Sequence, residues 1–287
     1  MFVPSLNSMT NALNKIQLAS GVWCFEGGQV PLNNSGLVVG SRGALVVDSH
    51  ICTLTTYQQL ALVSELLPAN TALDYLVNTN FRGDHSFGNF LFPVTCKVIG
   101  HQSNIDAMSN FSQERCLMDQ AMGEGGLLND ISWRLPDITF DRNLRIDLGG
   151  KALDIYCFGK ANSIGDAFVF DAKERILFSG NAILGSGLIP NVVGGDVESY
   201  LLVLKKIKGL GCIDTIVPGH GSVGDSNLLD HHLVYLESLL SDSRDGWVED
   251  FYRYGVSSMG NGCLPMLKSI HSQNLAEYST YCELDRG

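Results

Sequence analysis

Leu76-Val77-Asn78-Thr79-Asn80-Phe81-Arg82-Gly83-Asp84-His85-Ser86-Phe87-Gly88-Asn89 is the stretch on which the fold turns. An apolar run that begins at Leu73 stops at Val77, and amides, a guanidinium, a carboxylate and an imidazole follow at once. The same change occurs three more times: at Cys157-Phe158-Gly159-Lys160-Ala161-Asn162, at Leu177-Phe178-Ser179-Gly180-Asn181 and at Val217-Pro218-Gly219-His220. In α/β proteins the ends of strands collect functional side chains, because loops there are carried on a rigid scaffold. The glycines allow the backbone to bend closely around a small object. The four ends together predict a site.

Outward from these ends, strands and helices alternate without low-complexity tracts. Gly36-Leu37-Val38-Val39-Gly40 and Ala44-Leu45-Val46-Val47-Asp48, joined by Ser41-Arg42-Gly43, read as a hairpin. Thr53 is placed to cap a helix in which Leu60, Val63, Leu66 and Leu67 recur at helical spacing before Pro68. Strands are expected over 73–78 and 97–100, and a helix over 103–122. The second half repeats the theme, with strands over 144–148, 153–158, 167–170, 176–178 and 215–217, a helix over 197–207 and a long helix over 227–252. Residues 256–273, with Gly260, Gly262 and Pro265, read as a loop followed by short helices that could shape a pocket wall. Two β-rich halves closed by helices suggest two sheets packed face to face.

Composition narrows the class of function. The chain has 287 residues, 45% apolar and 17% charged, which is globular usage. The net charge of −11 and scattered Lys and Arg argue against nucleic acid, which rewards a concentrated basic face. Residues 1–10 hold no basic side chain and no continuous apolar run, unlike a signal peptide. The uncharged stretch over 176–195 contains five glycines, Pro190, Asn181 and Asn191, so it is no bilayer span. Eight cysteines with no Cys-x-x-Cys pair read as reduced, mostly buried thiols in a cytoplasmic protein.

The loop Asn78 to Asn89, followed by Asn162-Ser163-Ile164-Gly165-Asp166, Phe178-Ser179-Gly180-Asn181 and Val217-Pro218-Gly219-His220-Gly221, resembles the metallo-β-lactamase-fold superfamily, in the right order along the chain. The resemblance implies an α+β, αββα sandwich with a metal site at one edge between two mixed sheets. One domain is expected over 1–287, with 253–287 as a helical C-terminal extension. Family members are often dimers, which leaves a homodimer open.

The departures from the family pattern are specific. Usual members carry His-x-His-x-Asp-His in the first loop, and here Asn80 and Arg82 stand at the two leading histidines. The histidine that opens the second loop is Asn162, and the aspartate that commonly bridges two metals is Asn181. The second metal position keeps its set, so the resemblance implies Asp84, His85 and His220 as ligands of one divalent metal. Two imidazoles and a carboxylate suit Zn²⁺ or Fe²⁺, with zinc favoured. Arg82 has three readings: a clamp on a substrate anion, a surrogate for the lost metal that pairs with Asp84, or an outward-pointing surface residue. By resemblance Asp48 supports the ligand loop. His50 is a candidate extra ligand or base, and Lys160 can add to an anion-attracting mouth. Asn80, Asn162 and Asn181 can orient a water or a substrate carbonyl. His101, His231, His232 and His271 read as structural or surface residues.

The leading expectation is a mononuclear metal hydrolase of a small ester, thioester, lactone or lactam bearing an anionic group. Asp84 or His50 would take a proton, and Arg82 with Asn162 would hold an oxyanion or the acid group. The alternatives are a mononuclear non-haem iron oxygenase and a metal-free repurposed catalyst, a cyclase or lyase, on the same fold.

Overall fold

The computed structural model describes residues 13–27, 32–123, 125–185, 187–241, 244–259 and 261–285. The stretch over 1–10, read above as unlike a signal peptide, lies outside them. Seven strands form the first sheet in chain order: β1 (Asn14–Ala19), β2 (Val22–Glu26), β3 (Ser35–Val39), β4 (Ala44–Val47), β5 (Leu73–Val77), β6 (Lys97–His101) and β7 (Ile138–Phe140). The β1–β4 pairings are antiparallel, and those from β4 to β7 are parallel. The second sheet has the order β12-β11-β10-β9-β8, from β8 (Asn143–Asp147), β9 (Ala152–Cys157), β10 (Ala167–Asp171), β11 (Ile176–Gly180) and β12 (Thr215–Pro218). Only its β11–β12 pair is parallel.

Strand periodicity explains the layering. Leu45 and Val47 of β4, with Val77 and Ile99, meet Leu153, Ile155, Val169 and Phe178 of the second sheet in a core between the sheets. The alternate residues Ala44 and Val46 face outward with Leu76 and Val98, onto Val63 of α1 (Thr53–Leu66). Both faces are buried, which is why these strands are apolar throughout. On the far side Phe168, Leu177 and Ile216 pack beneath Val197, Tyr200 and Leu204 of α5 (Val197–Lys208) and Leu229 and Leu236 of α6 (Asn227–Leu240). The order is helix, sheet, sheet, helix, as expected.

Several boundaries differ from the sequence reading. Thr53 is the first residue of α1 and Cys52 its cap, while Leu67 is extended as its position before Pro68 requires. The helix expected over 103–122 is two, α3 (Gln102–Ala107) and α4 (Phe111–Met122), because the Asn110 side chain accepts the Gln113 N–H and restarts the helix. A single-turn helix, α2 (Gly83–Ser86), lies in the first loop. The helix expected over 227–252 divides into α6 and α7 (Arg244–Met259). The described residues of 256–273, expected as a loop and short helices, belong to the end of α7, a 3-10 turn (Asn261–Cys263) and the 22-residue α8 (Leu264–Asp285). Pro265 sits in the first turn of α8, where its missing N–H breaks no helical bond.

All eight cysteines are free thiols, three of them buried (Cys24, Cys52 and Cys96), fewer than composition suggested. Among the described residues no helix is long and apolar enough to cross a membrane.

Candidate metal centre

The ends of β4, β5, β11 and β12 and the β9–β10 loop converge on one edge of the sandwich. Asp48 follows β4 directly and takes a left-handed backbone, φ +60°, a conformation that Asp tolerates better than most residues. Its neighbours hold it there. Oδ1 accepts the Thr79 N–H at 2.7 Å, Oδ2 accepts the Thr79 hydroxyl at 2.7 Å and lies 2.8 Å from His85 Nδ1, and Gln59 donates to its carbonyl at 2.7 Å. Asp48 therefore ties the end of β4 to the loop after β5 and orients the His85 ring.

The single turn α2 presents Asp84 and His85. Gly83 opens it, and a Cβ there would fall 2.6 Å from the Phe87 ring and 2.8 Å from Met118 Cγ, so any side chain would force these neighbours to shift. The His85 carbonyl accepts from Asn78 Nδ2 and Ser49 Oγ, which fixes the turn from behind. His220, after β12, gives its Nδ1 to the Leu32 carbonyl at 2.9 Å and turns Nε2 to Asp84 Oδ2, also at 2.9 Å. His85 Nε2 stands 3.3 Å from the same Asp84 oxygen and 2.9 Å from Asn181 Oδ1. One donor atom from each of Asp84, His85 and His220 lies within 4.8 Å of the other two, and all three residues are buried.

Electrostatics follow from that crowding. Burial alone would push the Asp84 carboxyl up, but the His85 ring and the hydrogen bond from His220 outweigh it and hold the group well below the usual carboxylate range. Burial opposes charge on His85, yet Asp84 and Asp48 on either side raise it well above an ordinary imidazole. The centre is a place built for positive charge against Asp84.

The other expected residues surround this triad in different ways. Asn181 reaches it directly, through His85 and through Asp84 Oδ2 at 3.4 Å. Asn80 is fully buried; its Oδ1 accepts the Arg82 N–H at 2.9 Å, and its Nδ2 has no partner among the described residues. Arg82 does not pair with Asp84, contrary to the metal-surrogate reading. Its Nη1 donates to Glu114 Oε2 at 3.0 Å, and the guanidinium lies over the Phe81 ring, 5.3 Å from the centroid. His50 is not one of the three clustered donors: its Nε2 is 3.0 Å from Ser35 Oγ. Burial, then the neighbouring His85 and His220, push it down to about 3, so it is a neutral ring. Asn162 gives Nδ2 to the Asn191 carbonyl at 3.1 Å, and half-buried Lys160 extends toward Gly194.

Two contributors escaped the sequence reading. Glu114 of α4 holds Arg82 and also accepts the Gly83 N–H at 3.0 Å. Asn274 of α8 accepts the Val192 N–H and donates to the Pro190 carbonyl, each at 2.8 Å. It thereby clamps both sides of Asn191, the partner of Asn162. Its only signal was a buried amide on a helix, which no spacing rule singles out.

Residues 29–220 match the family model of the metallo-beta-lactamase superfamily, two thirds of the chain. The chain belongs to that superfamily. A metallo-beta-lactamase type 2 from Bacteroides fragilis is 25% identical over 228 residues, covering 78% of this chain and 83% of the relative. One from Bacillus cereus is 24% identical over 242 residues, covering 81% and 86%. The solved structure of a metallo-beta-lactamase from Pontibacter korlensis superposes with a TM-score of 0.60 at 19% identity, over 78% of this chain and 99% of that one. At that identity the likeness concerns the metallo-beta-lactamase fold alone. The family match ends at His220, so α6, α7 and α8 lie past it.

Proposed function

We propose that this chain is a metal-dependent hydrolase that works with a single divalent cation, zinc in preference to iron, held by Asp84, His85 and His220. The observation that carries the reading is the buried group of three donors within 4.8 Å. The donor chemistry fits the ion. With Nδ1 of His85 committed to Asp48 and Nδ1 of His220 committed to Leu32, both Nε2 atoms are left for a cation beside Asp84. We read Asn80, Arg82 and Asn162 as standing where the family's first metal has its histidines. Amides bind zinc weakly and a guanidinium does not bind it at all, which is why the reading stops at one ion.

A divalent cation in such a site supplies Lewis acidity and brings the pKa of water toward neutrality. The protein's own groups do the rest. Asp84 is the carboxylate placed to take the proton of the attacking water, since His50 is not among the clustered donors and burial makes its ring a weak base. Arg82, with one edge of its guanidinium on Glu114, offers the other N–H groups to an anionic group of the substrate. Lys160 adds positive potential at the same mouth. Asn162, held by Asn191, presents its amide to a substrate carbonyl. This supports small esters, thioesters, lactones or lactams that carry a carboxylate or phosphate as the substrate class.

The test is a panel of such compounds, each with and without the anionic group, assayed with added zinc and with chelator. Zinc-dependent hydrolysis that favours the anionic members is expected; hydrolysis unaffected by chelator would refute the reading. The same donor set favours a second reading, an iron oxygenase, because two histidines and a carboxylate also suit Fe²⁺. Oxygen uptake with iron in place of zinc-dependent hydrolysis would select it.

A further inference from the structure

Arg82 and Asp84 are two residues apart along the chain, and a guanidinium able to reach a buried carboxylate is attracted to it. The structure pairs Arg82 elsewhere. Nη1 donates to Glu114 Oε2 at 3.0 Å, the Phe81 face lies beneath the guanidinium, and the Arg82 N–H is taken by Asn80 Oδ1. Glu114 is itself buried, 4% exposed, and its second oxygen accepts the N–H of Gly83, the residue immediately before Asp84. Met118, one turn further along α4, packs on the same glycine. One carboxylate on α4 thus holds both the guanidinium and the backbone that presents Asp84.

We propose that Glu114 is a positioning residue that keeps the Arg82 guanidinium off Asp84 and so leaves Asp84 open to a divalent cation. The inference rests on Asp84, His85 and His220 being the cation site. The physical reason is competition. A guanidinium and a metal dication seek the same carboxylate, and an arginine cannot lose its proton to step aside. It has to be held away. Glu114 offers it a full opposite charge in a poorly solvated setting, where an unpaired cation is costly. Without that charge, the nearest acid along the chain is Asp84.

The test is a double-mutant cycle on zinc affinity of the full chain, read by competition with a chromophoric chelator. Glu114→Gln keeps an oxygen for the Gly83 N–H and nearly the same shape, but removes the charge that holds Arg82. It should weaken zinc binding about tenfold, within the usual coupling between contacting residues. Arg82→Leu should bind zinc at least as tightly as the wild type, and the double variant should match Arg82→Leu. Rescue by removal of Arg82 is the outcome that a merely structural role for Glu114 would not give. An equal loss in both backgrounds, or no loss in either, would overturn the inference while the metal site stands. Failure of the wild type itself to bind zinc would remove both. Glu114→Asp, which keeps the charge but not the reach, makes the same comparison if the neutral variant does not fold, as judged by thermal melting.

Discussion

Replacing Asp48 by Asn should separate two jobs that its carboxylate performs at once. Oδ1 accepts from the Thr79 backbone, while Oδ2 serves the Thr79 hydroxyl and His85 Nδ1. Asparagine tolerates the left-handed backbone at this position, so φ +60° is kept. Its amide has a single oxygen, however. If that oxygen stays with the Thr79 N–H, the new NH₂ faces the hydroxyl, which can rotate to accept, and His85 Nδ1, which cannot remain a donor. His85 must then move its proton to Nε2, the atom turned toward Asp84 and His220. If the amide turns over, the Thr79 N–H meets another donor in a buried setting. In the first arrangement the Thr79 O–H loses its acceptor and in the second the Thr79 N–H does, so either way one buried donor is left without a partner, at about 1–3 kcal/mol. In a chain of this size a loss in the middle of that range lowers the melting temperature by roughly 3–4 °C. Zinc affinity should fall by about 10- to 100-fold, the usual effect of removing a partner of a metal-bound histidine. Urea unfolding gives the first number and chelator competition the second. A variant that loses stability but binds zinc as the wild type does would show that the Nε2 atom of His85 does not face a cation.

Three further expectations concern packing and titration. Gly83→Ala forces a methyl into the Phe87 ring and Met118; it should cost about 1–3 kcal/mol in urea unfolding, part of it recovered when Met118→Ala is added. Buried His232 donates from Nδ1 to the Leu228 carbonyl and accepts the Leu184 N–H at Nε2, so the fold uses its neutral form, and burial lowers its pKa to about 4. Below about pH 6.5 the unfolded chain takes a proton that the folded chain refuses, so stability should fall between pH 6.5 and 4 by about 3 kcal/mol, and His232→Gln should flatten that part of the curve relative to wild type. Asn274→Leu strands the Val192 N–H and the Pro190 carbonyl; it should cost about 2–4 kcal/mol and speed hydrogen exchange at Val192 more than at the β12 amides.

The strands that point at the centre were legible because their signal is local. Leu76-Val77 before Asn78 and Val217-Pro218 before Gly219 change character within two residues, and the structure ends strands there. Asp84, His85 and His220 come together from those same ends. What was not legible depends on distance. Glu114 is an ordinary acid on a helix until α4 is folded against α2, thirty-one residues away along the chain. The β1–β2 hairpin escaped because Lys15 and Gln17 on its exposed edge dilute the apolar pattern, and Gly21 at φ +72° is the only turn signal. The C-terminal helices were underestimated for a related reason. Gly260, Gly262 and Pro265 suggested broken chain, whereas Gly262 lies in a 3-10 turn and Pro265 in the first turn of α8, and Leu267 and Asn274 of α8 are buried against the body of the protein.

The most direct measurement is the ratio of metal to chain in protein prepared without chelator and without air, determined by elemental analysis on the wild type and on Asp84→Ala. One zinc per chain in the first and none in the second is the result expected from a buried carboxylate flanked by two imidazoles. Two ions per chain, or a single ion that survives loss of Asp84, would contradict it.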